Sequence, residues 1–539
     1  MNHLYFGDNL DILRRHIKDG TVDLVYLDPP FNSNREFNIL FREQTGNHAK
    51  AQVKAFEDTW QWGNEAAEAY QEVVEGGHHR VSEAMQAFRR VLGEGDMLAY
   101  LSMMAPRLVE LRRVMKATGS IYLHCDPTAS HYLKALMDAV FDRANFRTEV
   151  IWRRTNAKGL AFKGMANNHD IILYYTQSDK YIWNQEYTEL DPAYVERFYR
   201  YVEPETGRRY QLADLVNPNR NRPNLTYEFL GVTRVWRWTK ERMEKTLEEG
   251  RIVQTKPGTV PRYKRYLDES KGTPVDSIWT DIKPIPAHGA ERLGFPTQKP
   301  MALLERIIKS SSDKGEVVLD PFCGCGTAIV VAQSLARKWI GIDITHIAIA
   351  LVKHRLKDMF GGKVRYKTLG EPVSVSDAHS LAKQNAYQFQ WWALGLVGAR
   401  PVEEKKGADK GIDGRIYFHD SKGRTNQIVL SVKSGHVSVR DVRDLRGVVD
   451  RKKAQIGVLI TMESAARPML TEAASAGFFK TAWGNHPMMQ VLTIDELLQG
   501  KQIDCPPTAA INITFKNAKP IESPKGEELH LNFPRKGNA

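Results

Sequence analysis

Short apolar runs closed by turn residues alternate with stretches of helical spacing through the first third of the chain. Val22-Asp23-Leu24-Val25-Tyr26-Leu27 reads as a buried strand, preceded by a short helix over 10–16. From 97 to 115 the apolar positions Leu101, Met104, Leu108, Leu111 and Val114 fall on one helical face. Gly119-Ser120-Ile121-Tyr122-Leu123-His124 is the next strand and 131–141 the next helix; 149–152 and 170–175 are two more strands. This alternation predicts an α/β fold with a mostly parallel sheet covered by helices on both faces.

Other stretches break the rhythm. Residues 32–95 read as polar and irregular, with an aromatic island at Phe56-Glu57-Asp58-Thr59-Trp60. Residues 184–290 are rich in Arg, Lys, Tyr and Trp and poor in long apolar runs, as in Arg234-Val235-Trp236-Arg237-Trp238. A further strand–helix unit occupies 296–356, with strands at Val317-Val318-Leu319 and Trp339-Ile340-Gly341-Ile342-Asp343. The glycine- and serine-bearing stretch 357–380 is expected to be a linker. A new α/β pattern spans 381–505, and 506–539, rich in Lys, Pro and Gly, is expected to be a loosely ordered tail.

At 539 residues the chain is too long for one ordinary core. Its net charge of +12 makes a polyanion such as double-stranded DNA a plausible partner, because clustered cations release counterions from a phosphate backbone. No apolar run is long enough to span a membrane, and the first residues lack the apolar core of a signal peptide. Four cysteines are too few and too scattered for a disulfide framework, which fits a reducing cytoplasm.

Two motifs carry candidate chemistry, each at a strand end. Asp28-Pro29-Pro30-Phe31 offers a carboxylate, a rigid turn with an outward carbonyl, and an aromatic face. Those are the parts that hold an aromatic exocyclic amine, a poor nucleophile until acceptors draw its nitrogen toward pyramidal geometry. Asp320-Pro321-Phe322-Cys323-Gly324-Cys325-Gly326-Thr327 follows a strand and opens a helix, so its glycines let backbone approach a ligand at a helix N-terminus. Asp343, ending the next strand, can accept hydrogen bonds from two ribose hydroxyls of a nucleoside cofactor, a spacing that fits a dinucleotide site nearly as well, and Asp320 can bond a cofactor amino group. Cys323 and Cys325 lie within the glycine loop with no second pair nearby, which argues against zinc.

These motifs, with Gly7-Asp8-Asn9-Leu10, Gly119 to Asp126 and Thr297-Gln298-Lys299-Pro300, resemble the beta class of DNA amino-methyltransferases over roughly residues 1–356. That class includes the modification subunits of type III restriction systems. The resemblance implies a Rossmann-like sheet that binds S-adenosyl-L-methionine, with 184–290 as the target-recognition insert. It implies catalysis by Asp28, Pro29, Pro30 and Phe31, the flipped base stacking on Phe31. It further implies a cofactor held by Asp8, Thr297, Lys299, Pro300, Asp320, Phe322, Gly324, Gly326, Thr327 and Asp343. Asp8 would lie near the adenine and 297–300 along the methionine side. An Asp at the first catalytic position points to adenine N6, whereas Ser is commoner for cytosine N4. In 184–290, Arg and Lys would neutralise phosphates, while Tyr227, Trp236 and Trp238 offer stacking or packing surfaces.

The last third holds a second pattern. Asp413 sits in a glycine-rich turn before the strand Ile416-Tyr417-Phe418, and Ser431 and Lys433 share one face of the next strand. Metal-dependent cleavage of DNA needs acidic ligands for a hard cation and a lysine beside the water. The arrangement resembles Mrr-type nucleases of the PD-(D/E)xK superfamily, which implies a restriction-endonuclease-like fold with Mg²⁺ on Asp413. The departure is Ser431, where the family usually has Glu, Asp or Gln; Glu403, Glu404 and Asp409 are the candidates for a second carboxylate. The expectation is a chain that both methylates and cuts DNA, as a homodimer or a restriction-system subunit. The alternative is a methyltransferase whose last domain binds DNA without cutting it.

Overall fold

The computed structural model describes residues 1–30, 62–76, 78–156, 164–286, 291–293, 295, 297–402, 411–419, 425–482 and 484–506. Phe31, the aromatic island, Glu403, Glu404, Asp409 and the expected tail beyond 506 lie outside them. The chain divides into two compact units, 1–184 with 277–539, and 185–276.

A nine-stranded sheet organises the first unit. Its strands are β1 (Asn2–Phe6), β2 (Val22–Leu27), β3 (Met115–Cys125), β4 (Phe146–Trp152), β5 (Asp170–Thr176), β6 (Ile278–Trp279), β7 (Val317–Asp320), β8 (Lys338–Asp343) and β9 (Tyr366–Leu369). They lie in the order β6-β4-β5-β3-β2-β7-β8-β1-β9. Within the sheet β5 alone runs antiparallel to its neighbours, so the mostly parallel sheet expected from the alternation is present. β2 is buried along its whole length, as its continuous apolar run requires of a strand covered on both faces. The helix Asp96–Val114 buries Leu101, Met104, Leu108, Leu111 and Val114, the face read from the spacing, in one core with Val25, Leu27, Ile121 and Leu123.

Two stretches differ from expectation. Residues 64–92 hold the helices Asn64–Glu75 and His79–Leu92, whose charged surfaces mask a narrow apolar seam of Tyr70, Val73, Val81 and Met85. The expected linker 357–380 is built of regular elements. It completes the helix His346–Phe360, supplies β9 beside β1, and opens the helix Val375–Gln384 behind a Ser374–Asp377 capping box. Ala378 of that helix lies in the core of the next α/β layer.

That layer is a five-stranded sheet of β10 (Arg400–Pro401), β11 (Gly414–His419), β12 (Thr425–Lys433), β13 (Ile456–Thr461) and β14 (Met489–Thr493), in that order. The second unit, 185–276, has its own small core of Leu215, Phe229, Val232, Trp236, Met243 and Ile252. It is narrower than the insert expected from composition, because Ile278–Trp279 belongs to the large sheet beside β4.

Candidate active site

β2 and β7 are adjacent and parallel, with Val25 opposite Leu319. Asp28 and Asp320 therefore emerge at the same end of neighbouring strands although 292 residues separate them in sequence. Open parallel sheets place their ligands at that edge, beyond the carboxyl ends of the strands. A small cleft there is lined by Asp28, Thr297, Lys299, Asp320, Phe322, Gly324 and Thr327, seven of the residues picked from sequence, and also by Tyr26, Phe295 and Cys325.

Asp28 is mostly buried, and its Oδ2 accepts a 2.5 Å hydrogen bond from Lys299 Nζ. Its Oδ1 is buried and accepts no hydrogen bond among the described residues. Pro29 is buried and Pro30 half-buried in the turn that follows.

The glycine loop is shaped by its own backbone. Gly324 and Gly326 have φ of +47° and +74°, and a Cβ on Gly326 would stand 2.7 Å from Val352 Cγ2. Behind the loop Asp343 Oδ2 accepts from Gly324 N at 2.9 Å, and Oδ1 accepts from Thr345 N and Oγ1. Asp343 thus braces the loop from within the protein. Asp320 accepts from Phe322 N at 3.1 Å and is buried. Burial, reinforced by Asp28 and Asp343 nearby, holds the Asp320 carboxyl well above its ordinary range, with Lys299 opposing. Burial also pushes up Asp343 and the Cys323 and Cys325 thiols. Those thiols are free, and no group of three or more potential metal ligands occurs among the described residues.

Asp8 is placed differently. It is exposed, caps the helix Asn9–His16 by accepting from Leu10 N and Asp11 N, and pairs with Arg107 at 2.6 Å. Its neighbour Asn9 donates to the Pro321 carbonyl at 2.8 Å, tying the first motif to the glycine loop. Pro300 starts the helix Met301–Ser311, which follows Thr297 and Lys299.

Several residues that matter here went unread in the sequence. Arg355 is buried and donates to the Cys325 carbonyl and Thr327 Oγ1, both at 3.1 Å, clamping the loop from the helix His346–Phe360. Tyr26, His124 and Asp170 form a buried chain beneath the cleft, although the sequence marked their stretches only as strands.

In the other elements, Trp236 is fully buried and donates to the Tyr227 carbonyl, so these aromatics pack the core of the second unit. That unit carries 17 basic and 15 acidic residues, and many of them pair, as Arg208 does with Asp268 and Glu269. Arg220, Arg222, Arg234 and Arg237 are exposed and meet no acidic side chain among the described residues. In the last domain, Asp413 Oδ2 accepts from Ser431 Oγ at 3.1 Å and from Val432 N at 2.6 Å. One oxygen of the expected metal ligand thus faces inward onto β12, and Lys433 stands two residues beyond Ser431 at the half-buried end of that strand.

Residues 22–354 match the family model described as DNA methylase. The chain belongs to the DNA methylase family. Residues 386–499 of this methylase match a second model, described as NACHT-associated inactive Restriction Endonuclease 1. Over 359 residues the methylase is 27% identical to the Type II methyltransferase M.EcaI of Enterobacter cloacae, covering 66% of this chain and 69% of that one. It is 26% identical over 384 residues to the Type III restriction-modification enzyme StyLTI Mod subunit of Salmonella typhimurium, covering 68% of this chain and 54% of the relative. A solved M1.HpyAVI–SAM complex aligns at 14% identity with a TM-score of 0.30, over 66% of this chain and all of that one. Among the described residues no helix is long and apolar enough to cross a membrane.

Proposed function

We propose that this methylase transfers a methyl group from S-adenosyl-L-methionine to the exocyclic amine of a base flipped out of double-stranded DNA, with adenine N6 as the acceptor. The observation that carries the reading is the buried Asp28 Oδ1, which accepts no hydrogen bond among the described residues, beside an Oδ2 bonded to Lys299. An acceptor in that state is poised for an amine N–H, and bonding it draws the nitrogen lone pair out of the ring.

The residues present fit the cofactor. Asp28, Asp320 and Asp343 bring three carboxyl groups together near Lys299, and a ligand bearing a sulfonium and an ammonium would favour their ionised forms. In this reading Asp320 takes the ammonium, the Gly324–Gly326 backbone allows close approach, and a remaining lone pair of Asp343 takes the ribose. When bound, S-adenosyl-L-methionine supplies a methyl group made electrophilic by the sulfonium. Orientation of the two reactants in a dry cleft accounts for much of the rate. The choice of adenine over cytosine rests on the Asp at position 28.

The second unit serves as the target-recognition insert, its exposed Arg220, Arg222, Arg234 and Arg237 meeting phosphates or base edges. The last domain is a DNA-binding module that does not cut. Ser431 in place of a carboxylate, and its bond to Asp413, support this over a Mg²⁺ site.

The test is methyl transfer from labelled cofactor to plasmid DNA, with and without Mg²⁺, followed by identification of the methylated base. Asp28→Ala is expected to lower transfer at least ~10²-fold. Transfer that survives this substitution overturns the catalytic assignment. A labelled N4-cytosine overturns the base assignment, and Mg²⁺-dependent cutting abolished by Lys433→Ala overturns the reading of the last domain.

A further inference from the structure

The buried chain beneath the cleft has a chemical direction. Tyr26, on β2, stands two residues before Asp28, which follows the strand, and both line the cleft. The Tyr26 hydroxyl lies 2.9 Å from His124 Nδ1 on β3, and His124 Nε2 lies 3.1 Å from Asp170 Oδ2 on β5. Asp170 Oδ1 meets Arg154 Nε at 3.0 Å, and Arg154 is partly exposed. Tyr26, His124 and Asp170 are almost entirely shielded from solvent, and Trp152 packs edge-on against the imidazole. Buried polar side chains are costly unless fully bonded, so a three-residue line running from the cleft toward the surface needs a reason.

We propose that Tyr26, His124 and Asp170 form the proton exit for the methylated amine. The inference rests on the methyl-transfer reading above. When the exocyclic nitrogen forms its bond to the methyl carbon, the S–C electron pair stays with sulfur and the nitrogen becomes cationic. One N–H proton then passes to Tyr26 Oη while the hydroxyl proton of Tyr26 passes to His124 Nδ1. The products are a neutral methylamine, a neutral Tyr26 and an imidazolium held by Asp170. After product release the proton returns by the same route to water in the opened cleft. Asp170 fixes the tautomer with hydrogen on Nε2, which turns the Nδ1 lone pair toward the Tyr26 hydroxyl. Asp28, already engaged by Lys299, orients the amine without having to take its proton.

The charged surroundings agree with this direction. Asp28, Asp320, Asp170 and Cys325 face Tyr26, and with burial they push its hydroxyl well above the ordinary range, so it relays a proton without resting as a phenolate. Asp170 faces His124, Lys299 and Arg154, and their pull outweighs its burial and keeps it below the ordinary carboxylate range.

The test uses the full chain with Tyr26→Phe and His124→Gln. Both are expected to lower kcat roughly 10²-fold, with cofactor affinity and the KM for DNA little changed. Histidine-selective ¹⁵N NMR, assigned by loss of the signal in His124→Gln, should show the Nε2–H tautomer and a shift of Nδ1 in Tyr26→Phe. A Tyr26→Phe protein with wild-type kcat overturns the relay, as does an Nδ1–H tautomer in the wild type. A fall of kcat and cofactor affinity together with Tm would make the chain a scaffold, which also overturns it. Wild-type protein without methyl transfer would instead bring down the functional reading itself.

Discussion

A carboxyl group held above its ordinary range by burial is a cost that function can explain. Asp320 is such a group, enclosed at the end of β7 with Asp28 and Asp343 close by. Because its folded value is raised, its contribution to stability is present at low pH and is lost as pH rises through that value. Asp320→Asn is therefore expected to raise Tm at pH 8 and to leave it little changed near pH 4, while removing cofactor binding. Thermal melts at both pH values and calorimetric titration check this; an Asn variant that melts lower at pH 8 would show that the charge is well compensated. Cofactor binding should also release a proton on the acid side of the raised value, read from titrations in buffers of different ionisation enthalpy. Arg355 is the complementary case. Replacing it by Met strands the Cys325 carbonyl and Thr327 hydroxyl in a buried place, at a cost of about 1–3 kcal/mol. Chemical denaturation measures that loss, and unchanged stability would mean the loop finds other donors. Asp28 and Asp320 could be read from sequence because each sits in a local run with its own turn chemistry. Arg355, Tyr26 and Asp170 could not, since each acts through partners brought near only by strand order.

The glycine loop shows what one element demands of its neighbours. Gly326 caps the helix Thr327–Ser334 in the left-handed region, and Val352 of the helix His346–Phe360 fills the space a Cβ would need. Gly326→Ala therefore meets two separate penalties, a backbone one of about 1–2 kcal/mol and a steric one against Val352. Adding Val352→Ala should recover the steric part only, so the double variant should bind cofactor better than Gly326→Ala and worse than the wild type. Complete rescue would show that the backbone conformation is not required. The strand–turn–helix itself was legible because its apolar run, glycines and following helix agree with one another. β9 was not: Tyr366-Lys367-Thr368-Leu369 is a half-buried edge strand without alternation strong enough to mark it. The helices over 64–92 were hidden for a related reason, since few of their positions are buried and the rest are charged or polar.

The whole chain turns on that missed strand. β9 pairs with β1 from Asn2–Tyr366 to Tyr5–Leu369, and β1 leads directly into Gly7 and Asp8. Gly370 then passes so close to Phe6 that a Cβ on it would overlap the Phe6 carbonyl, and Glu371 pairs with Lys353. The methyltransferase layer thus extends through 371, past the boundary at 356 suggested by its motifs. The last domain joins at once. Gly395 lies against Ala350, and Gln388 accepts from His346 N at 3.4 Å, so the helix Ala386–Leu396 rests on the helix that clamps the glycine loop. A chain ended at Leu356 would lose β9, cut the helix His346–Phe360 short and leave the edge of β1 open to intermolecular pairing. A chain ended at Val373 keeps the complete sheet and gives up only the packing of the last domain. The longer fragment is therefore expected to be soluble and to bind S-adenosyl-L-methionine with a lowered Tm, and the shorter one to aggregate. Soluble yield, thermal melts and calorimetric titration of the two fragments decide the matter. Equal stability of the pair would mean that β9 is an ornament on the sheet and that the motif boundary is also the physical one.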